Sequence, residues 1–296
     1  MAEHLTVTTP DGRSLEVLEG GDPGGFPWLF YNGTPTAAVP DPETEEIALR
    51  LGLRMISYSR PGYGASTPWP RPGVRVADDV PDAVAVLDHL GVDDFVTLGW
   101  SGGGPRALGC AALLPARCRA AATLAGVGPS DAADLDFTAG MAPENVAEFA
   151  AAAAGPEAYA ALLEEVLPPM AAATPEEIAT AMGELVTPVD AAAVTGAFAE
   201  RLVATFRHAI AQGVVGARDD GLAIMAPWGF DVTAIRVPVA VWQGRQDAMV
   251  PFAHGEWLAA NVAGARAHLF EDEGHLSLGL RLEEILTDLV GLAGLR

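Results

Sequence analysis

The spacing of hydrophobic and polar residues predicts alternating strands and helices near both ends of the chain. Short apolar runs suited to buried parallel strands lie at 27–31, 53–58 and 95–99, and two earlier runs predict an opening hairpin. Residues 78–90 have apolar positions at helical spacing, and Gly91 follows as a stop. This alternation is typical of an α/β fold with a mainly parallel sheet covered by helices.

The middle of the chain has a different pattern. From about 127 to 228, runs of β-branched residues give way to alanine-rich stretches with helical spacing. Within it, 191–211 predicts one long helix, with apolar residues at four-residue steps. Strand and helix patterns alternate again from Val237 onward. We therefore expect a core made of residues 1–126 and 229–296, with residues 127–228 inserted as an all-helical segment.

A serine flanked by glycines follows the strand predicted at 95–99 and precedes an alanine-rich helix. Gly99, Ser101 and Gly103 have the G-x-S-x-G spacing of a nucleophile elbow. Such a turn holds the serine in strained backbone space, so the residues two before and two after it must lack bulky side chains. The turn would raise the serine hydroxyl above the sheet and aim the amide of Gly102 at an oxygen that becomes negative.

A serine hydroxyl is a weak nucleophile at neutral pH, so the chain must also supply a base and an acid that orients it. His275 is the candidate base, because it follows a glycine on the loop after the predicted strand 266–270. Asp247, after the strand predicted at 237–242, is the candidate acid, and it gives the chain order Ser, Asp, His expected with this elbow. Asp131 is a second candidate acid. An alternative interpretation of Asp247 is that it only caps the next helix.

Three other histidines follow Ser101 in the sequence. We expect His268 to pack within its strand or at its edge, and His254 to be solvated at a helix start. His208 belongs to the helical segment and would at most border a pocket.

An acyl-transfer site also needs backbone donors for the oxyanion. The strand predicted at 28–31 runs into Asn32, Gly33 and Thr34, where the amide of Thr34 could pair with that of Gly102. Taken alone, the same residues favour a plain Asn-Gly turn.

Through these motifs, nearly the whole chain resembles the α/β-hydrolase fold superfamily. The matching segments are Asn32-Gly33-Thr34-Pro35, Ser59-Arg60-Pro61-Gly62-Tyr63-Gly64-Ala65-Ser66, the elbow at 99–103, Gly244-Arg245-Gln246-Asp247 with Val250-Pro251, and Gly274-His275. The sequence departs from the family pattern at Asn32, where a histidine is usual, and at Ser59, where an aspartate is frequent. Both departures alter hydrogen bonding beneath the oxyanion loop and leave the candidate triad unchanged.

The resemblance implies a mostly parallel eight-stranded sheet flanked by helices, with the segment 127–228 as a helical cap. It also implies that Ser101 is the nucleophile, His275 the base and Asp247 its orienting acid. The oxyanion amides would fall on Thr34 and Gly102.

The expected activity is a serine hydrolase that cleaves a small, fairly hydrophobic ester or related acyl compound through an acyl-enzyme. The same triad in this family also serves carbon–carbon bond hydrolysis, peroxyacid formation and amino-terminal peptidase activity, and some members of the fold only bind ligands. Candidate substrate-binding residues are Asn32, Gly33, Trp100, Met170, Met225 and Trp228.

The amino-acid composition limits the classes of partner that we expect the protein to bind. The chain has 39 acidic and 17 basic residues, a net charge of −22, which opposes binding to nucleic acid and to anionic membranes. Two cysteines do not make a disulfide framework, so a reduced, cytoplasmic protein is expected. No signal peptide, membrane-spanning run, metal-ligand spacing or phosphate loop is recognisable, so we expect no cofactor and a small-molecule substrate. The sequence is consistent with either a monomer or a homodimer.

Overall fold

The computed structural model describes residues 3–71 and 73–295. Its centre is one eight-stranded sheet in the order β1-β2-β4-β3-β5-β6-β7-β8. β1 pairs antiparallel with β2, and β2 with β4, whereas all the other neighbours are parallel. The predicted α/β class and eight-stranded, mostly parallel sheet are therefore confirmed, with a mixed edge. The strands are β1 Glu3–Thr8, β2 Ser14–Gly21, β3 Phe26–Tyr31, β4 Leu53–Tyr58, β5 Phe95–Trp100, β6 Cys118–Leu124, β7 Val239–Gly244 and β8 Arg266–Phe270.

Helices cover both faces of this sheet. The α-helices are α1 Pro42–Leu51, α2 Val80–His89, α3 Gly104–Leu113, α4 Pro143–Ala154, α5 Pro156–Ala172, α6 Ile178–Ala181, α7 Pro188–Ala193, α8 Gly196–Ala209, α9 Val215–Met225, α10 Phe252–Asn261 and α11 Leu282–Leu292. Helices α2, α3 and α10 share one buried cluster with residues such as Leu29, and α1 and α11 share another with Trp28. Because Trp28 and Leu29 are consecutive on β3, their side chains point to opposite faces. Both faces are buried, which explains the near-continuous apolar runs of the central strands.

Six helices, α4 to α9, lie between β6 and β7. The long helix predicted at 191–211 is instead two helices, α7 and α8, interrupted at Val194 and Thr195. The interruption has a local cause, because Gly196 has a φ of 51°, outside the right-handed helical region. Within the described ranges, no helix is both long enough and apolar enough to cross a membrane.

The parallel strands fix the position of the candidate site. Ser101 follows β5, Asp247 follows β7, His275 follows β8 and Asn32 follows β3. These four strands are parallel, so the loops that follow them meet at one edge of the sheet, where ligands of open α/β sheets usually bind.

Candidate active site

Ser101 occupies the sharp turn between β5 and α3 in a strained conformation. Its φ is 53°, in the left-handed region that side-chain-bearing residues rarely adopt. The flanking residues must be glycines because a side chain there would clash with the backbone. A Cβ on Gly99 would lie 2.1 Å from the carbonyl oxygen of Gly103. A Cβ on Gly103 would lie 2.4 Å from the carbonyl oxygen of Tyr31. The G-x-S-x-G spacing thus reflects close backbone packing, which leaves the serine at the wall of a cavity.

The candidate base and acid are in direct contact. His275 Nδ1 lies 2.8 Å from Asp247 Oδ2, and the two residues are only 4% and 5% exposed. The other oxygen of Asp247 accepts the backbone N–H groups of Met249 at 2.8 Å and Val250 at 2.7 Å. Gln243 Nε2 also donates to Asp247 Oδ2, at 3.1 Å. Because Asp247 is acceptor-only when ionised, it holds the histidine tautomer with hydrogen on Nδ1 and leaves Nε2 as the free acceptor.

Burial and charge act in opposite directions on His275. Burial lowers the pKa of its imidazole, but the charge and hydrogen bond of Asp247, with the charge of Asp190, outweigh burial and raise the pKa above its usual 6.5. A base with a raised pKa accepts a proton more readily in a reaction. Asp190, on α7, was not predicted from the sequence as a site residue.

The two predicted oxyanion residues lie side by side next to the nucleophile. A Cβ on Gly102 would be only 2.3 Å from Thr34 Oγ1, and a Cβ on Gly33 would be 3.3 Å from Ser101 Cβ. Asn32 Nδ2 donates to Ser57 Oγ at 2.8 Å and ties the same loop to β4. The loop after β3 therefore meets the elbow closely, as an oxyanion site requires.

A buried charge cluster, Asp220 with Arg60, Arg106 and Asp79, lies beneath these two residues and was missed by the sequence analysis. Arg60 makes a bidentate pair with Asp220, Nε to Oδ1 at 3.0 Å and Nη2 to Oδ2 at 2.6 Å. Arg106 Nη2 lies 2.5 Å from Asp220 Oδ1, and its Nε donates to Asp79 Oδ2 at 2.9 Å. Two arginines and two aspartates balance in charge, which is how a cluster of this kind is tolerated in a protein interior.

The buried charge cluster holds both parts of the oxyanion region. Arg60 donates to the carbonyl oxygens of Asn32 at 2.5 Å and Gly33 at 3.1 Å, and the Thr34 hydroxyl donates to Asp220 Oδ2. Arg106 Nη1 donates to the carbonyl oxygen of Gly102 at 2.8 Å. Burial would raise the pKa of Asp220, but Arg106 and Arg60 hold it below its usual value, so the carboxylate stays ionised. Arg60 lies within a recognised motif, but its partner is 160 positions away, so no local pattern indicates the pair.

One cavity of about 530 Å³ brings most of the predicted residues together. Its wall includes two of the three candidate catalytic residues, both candidate oxyanion residues and four of the predicted substrate-binding residues: Ser101, His275, Thr34, Gly102, Asn32, Gly33, Trp100 and Met170. Most of the remaining wall is apolar, with Leu167, Leu202, Phe206 and Ile224 among its residues. A pocket of this size and character suits a small apolar ligand.

Met225 and Trp228 are in a different place from the one predicted, since neither borders the cavity among the described residues. Trp228 is 3% exposed and donates its Nε1–H to the carbonyl oxygen of Ile224, and Met225 packs against the core beside it. Helix α9, which ends at Met225, presents Ile224 to the cavity instead. Composition identifies apolar residues in a helix but does not determine which of them faces a ligand.

The other histidines and the second candidate acid do not join the site. His254, expected to be solvated, is fully buried: Nδ1 accepts from Gly128 N–H at 3.0 Å and Nε2 donates to the carbonyl oxygen of Phe137 at 2.8 Å. His268 stacks on Trp242 at 3.8 Å between ring centroids, and His208 pairs with Glu16 at 2.7 Å. Asp131 is exposed on the loop after β6.

Comparison with known proteins agrees with this architecture. Residues 31–160 match the model of the alpha/beta hydrolase fold family. A non-heme chloroperoxidase from Streptomyces lividans is 26% identical over 292 residues, which cover 96% of this chain and 98% of that protein.

Two solved structures align over almost the whole chain. An alpha/beta hydrolase fold protein from Nakamurella multipartita is 25% identical with a TM-score of 0.69, covering 99% of this chain and 100% of that one. An esterase from Exiguobacterium antarcticum is 20% identical with a TM-score of 0.66, covering 99% and 98%. Together, the family model and the aligned proteins support the α/β-hydrolase superfamily for this chain.

Proposed function

We propose that the chain is a serine hydrolase that cleaves small, fairly hydrophobic esters through an acyl-enzyme on Ser101. The observation that carries the proposal is the strained serine, which shares one cavity with His275, whose Nδ1 contacts Asp247. The esterase among the solved structures with this fold is consistent with that chemistry.

In the proposed reaction the Ser101 hydroxyl attacks the ester carbonyl while His275 Nε2 takes its proton. Asp247 keeps the imidazole oriented and stabilises the imidazolium that forms. The amides of Thr34 and Gly102 would hold the oxyanion of the tetrahedral intermediate. When that intermediate collapses, the alcohol leaves with the proton from His275. Water then attacks the acyl-enzyme, His275 takes its proton, and the acid leaves as Ser101 regains a hydrogen.

A series of p-nitrophenyl esters of increasing acyl length tests the proposal, with the native chain and Ser101→Ala measured side by side. We expect release of nitrophenol by the native chain and a loss of about a thousandfold or more in the variant, because a triad acts as a unit. The preferred acyl length should report the depth of the 530 Å³ cavity. Equal turnover by the two proteins would overturn the assignment of Ser101.

A second candidate is peroxyacid formation, favoured by the chloroperoxidase that aligns with 96% of this chain. In this reaction hydrogen peroxide replaces water in attack on the acyl-enzyme, which gives a peroxyacid and free Ser101. The test is halide oxidation in the presence of a short carboxylic acid and hydrogen peroxide. Oxidation that needs both the acid and Ser101 would support this activity, whereas oxidation by Ser101→Ala at the native rate would exclude it.

A further inference from the structure

Asp190 connects the helical segment to the loop that carries His275. It lies on α7 and is fully buried, at 0% exposed. Its Oδ2 accepts the backbone N–H of His275 at 3.1 Å, and its Oδ1 accepts those of Leu276 at 2.8 Å and Ser277 at 2.9 Å. Three successive amides thus bind one carboxylate, and each bond to a charged acceptor is stronger than a neutral one.

The contact between Asp190 and the base loop requires a glycine at position 274, directly before His275. A Cβ on Gly274 would lie 2.5 Å from Asp190 Oδ1 and 2.6 Å from Oδ2. Real Cβ atoms do not approach oxygen so closely, so the loop and the carboxylate fit together only because residue 274 has no side chain. The Gly-His pair that predicted the base from the sequence therefore has a second purpose, which is to admit the carboxylate of α7.

The charge of Asp190 is met by amides and not by a cation. Within the part of the chain that the structure describes, no arginine or histidine side chain forms a salt bridge with Asp190. The neighbouring charged side chains pair with one another, since Arg281 lies 2.7 Å from Glu273 and 3.0 Å from Glu284. The carboxylates that act on the His275 imidazole are therefore Asp247, in direct contact, and Asp190, through its field.

We propose that Asp190 is a positioning residue that fixes the backbone of the His275 loop and favours the imidazolium during turnover. The helical segment then does more than cover the cavity, because it supplies the group that holds the base in place. Movement of α7 away from the core would break these three hydrogen bonds and free the base loop. This inference rests on the proposed function, in which His275 is the base.

Asp190→Asn is the direct test. The asparagine keeps one acceptor oxygen but turns an NH₂ group toward an amide N–H, and it removes the charge. We expect kcat on p-nitrophenyl esters to fall about 10- to 100-fold with little change in KM, since small misplacements of a catalytic group have effects of this size. The acid limb of the pH–rate profile should move to lower pH, because the imidazole loses a stabilising negative charge.

Asp82→Asn is a matched control. Asp82 is also a buried aspartate, at 1% exposed, but it pairs with Arg13 and lies outside the cavity wall. The control should leave kcat and the acid limb near native values even if it lowers the melting temperature. If Asp190→Asn keeps native kcat and acid limb, or changes only the melting temperature as Asp82→Asn does, the proposal is overturned.

Gly274→Ala tests the same contact without removing the charge. The added methyl group must displace the carboxylate or the loop, so kcat should fall. The three atoms that this methyl group would crowd most all belong to the Asp190 carboxyl group and are absent in an Asp190→Ala background, so the same glycine change should lower kcat much less there. An equal fall in kcat in the two backgrounds would contradict a contact between residues 274 and 190.

An NMR titration of the His275 ring separates this proposal from the proposed function, because it needs no turnover. A lower imidazole pKa in Asp190→Asn than in the native chain is expected, and an unchanged pKa would overturn the influence of Asp190. A fully active Ser101→Ala variant would instead reject the hydrolase mechanism and leave the titration result intact.

Discussion

Two buried carboxylates from the helical segment hold two walls of the cavity, the base loop and the oxyanion loop, and they do so by different chemistry. Asp190 binds three backbone amides of the base loop. Asp220 binds two arginine side chains, which in turn bind the carbonyl oxygens of the oxyanion loop and the elbow. The first carboxylate contacts the backbone directly, whereas the second acts through two cations and a hydrogen bond from the Thr34 hydroxyl.

The difference predicts different consequences for stability and for catalysis. The charge of Asp220 is neutralised by Arg60 and Arg106, so its main effect on the oxyanion residues is geometric. The charge of Asp190 has no such partner and acts on the His275 imidazole. Loss of Asp220 should therefore mainly unfold the protein, and loss of Asp190 should mainly impair the base.

The largest expected effect is on folding. Asp220→Asn leaves two buried arginines with only Asp79 as an acidic partner, and breaking a buried pair in this way typically costs about 3–5 kcal/mol. Asp190→Asn strands no cation, so its loss of unfolding free energy should be smaller. Urea unfolding of the two variants measures the difference. A smaller loss for Asp220→Asn than for Asp190→Asn would refute the comparison.

The next effect concerns the oxyanion wall directly. Gly102→Ala places a methyl group 2.3 Å from Thr34 Oγ1, which must push the oxyanion loop away. Loss of one oxyanion donor typically lowers kcat about 10²- to 10³-fold. Steady-state kinetics on the preferred ester checks this, with circular dichroism as the test of folding. A folded variant with native kcat would show that the amides of this pair do not hold the oxyanion.

The pH dependence of kcat/KM should distinguish Asp190, which holds the base loop, from Asp220, which holds the oxyanion loop. His275 must be neutral to accept a proton, and its pKa is raised above 6.5, so activity should fall as the pH drops through a value higher than that of an ordinary histidine. Asp220 is not among the charges that shift His275, so any Asp220→Asn protein that folds should keep the native acid limb. A shift of that limb in Asp220→Asn as large as in Asp190→Asn would remove the distinction.

The smallest effect concerns the apolar wall. Met170 borders the cavity and Met225 does not, although both are methionines of the helical segment. Met170→Ala should enlarge the pocket and shift preference toward longer acyl chains by several-fold, since a methylene in a hydrophobic pocket is worth about 1–3 kcal/mol. Met225→Ala is the matched control and should keep the native profile. The same shift in both variants would contradict the cavity wall.

The comparison also shows what could be predicted from the sequence. The elbow, the Gly-His pair and the Asp247 turn are local patterns next to strongly periodic strands, so both their residues and their order along the chain were readable. The break between α7 and α8 could not be predicted, because Val194, Thr195 and Gly196 leave the helical conformation although the apolar spacing continues through them. Asp190 and Asp220 could not be predicted for a different reason. Each is an acidic residue in a helix, and its partners come from distant loops and helices that only the folded chain brings together.

The most direct test of the account is labelling with a fluorophosphonate, followed by peptide mapping, in the native chain and in His275→Ala. The proposed mechanism predicts a single adduct on Ser101. It also predicts labelling at least about a hundredfold slower in His275→Ala, because Ser101 depends on His275 for its activation. Labelling of Ser101 at the same rate in both proteins would contradict it, as would loss of activity with the adduct on another residue.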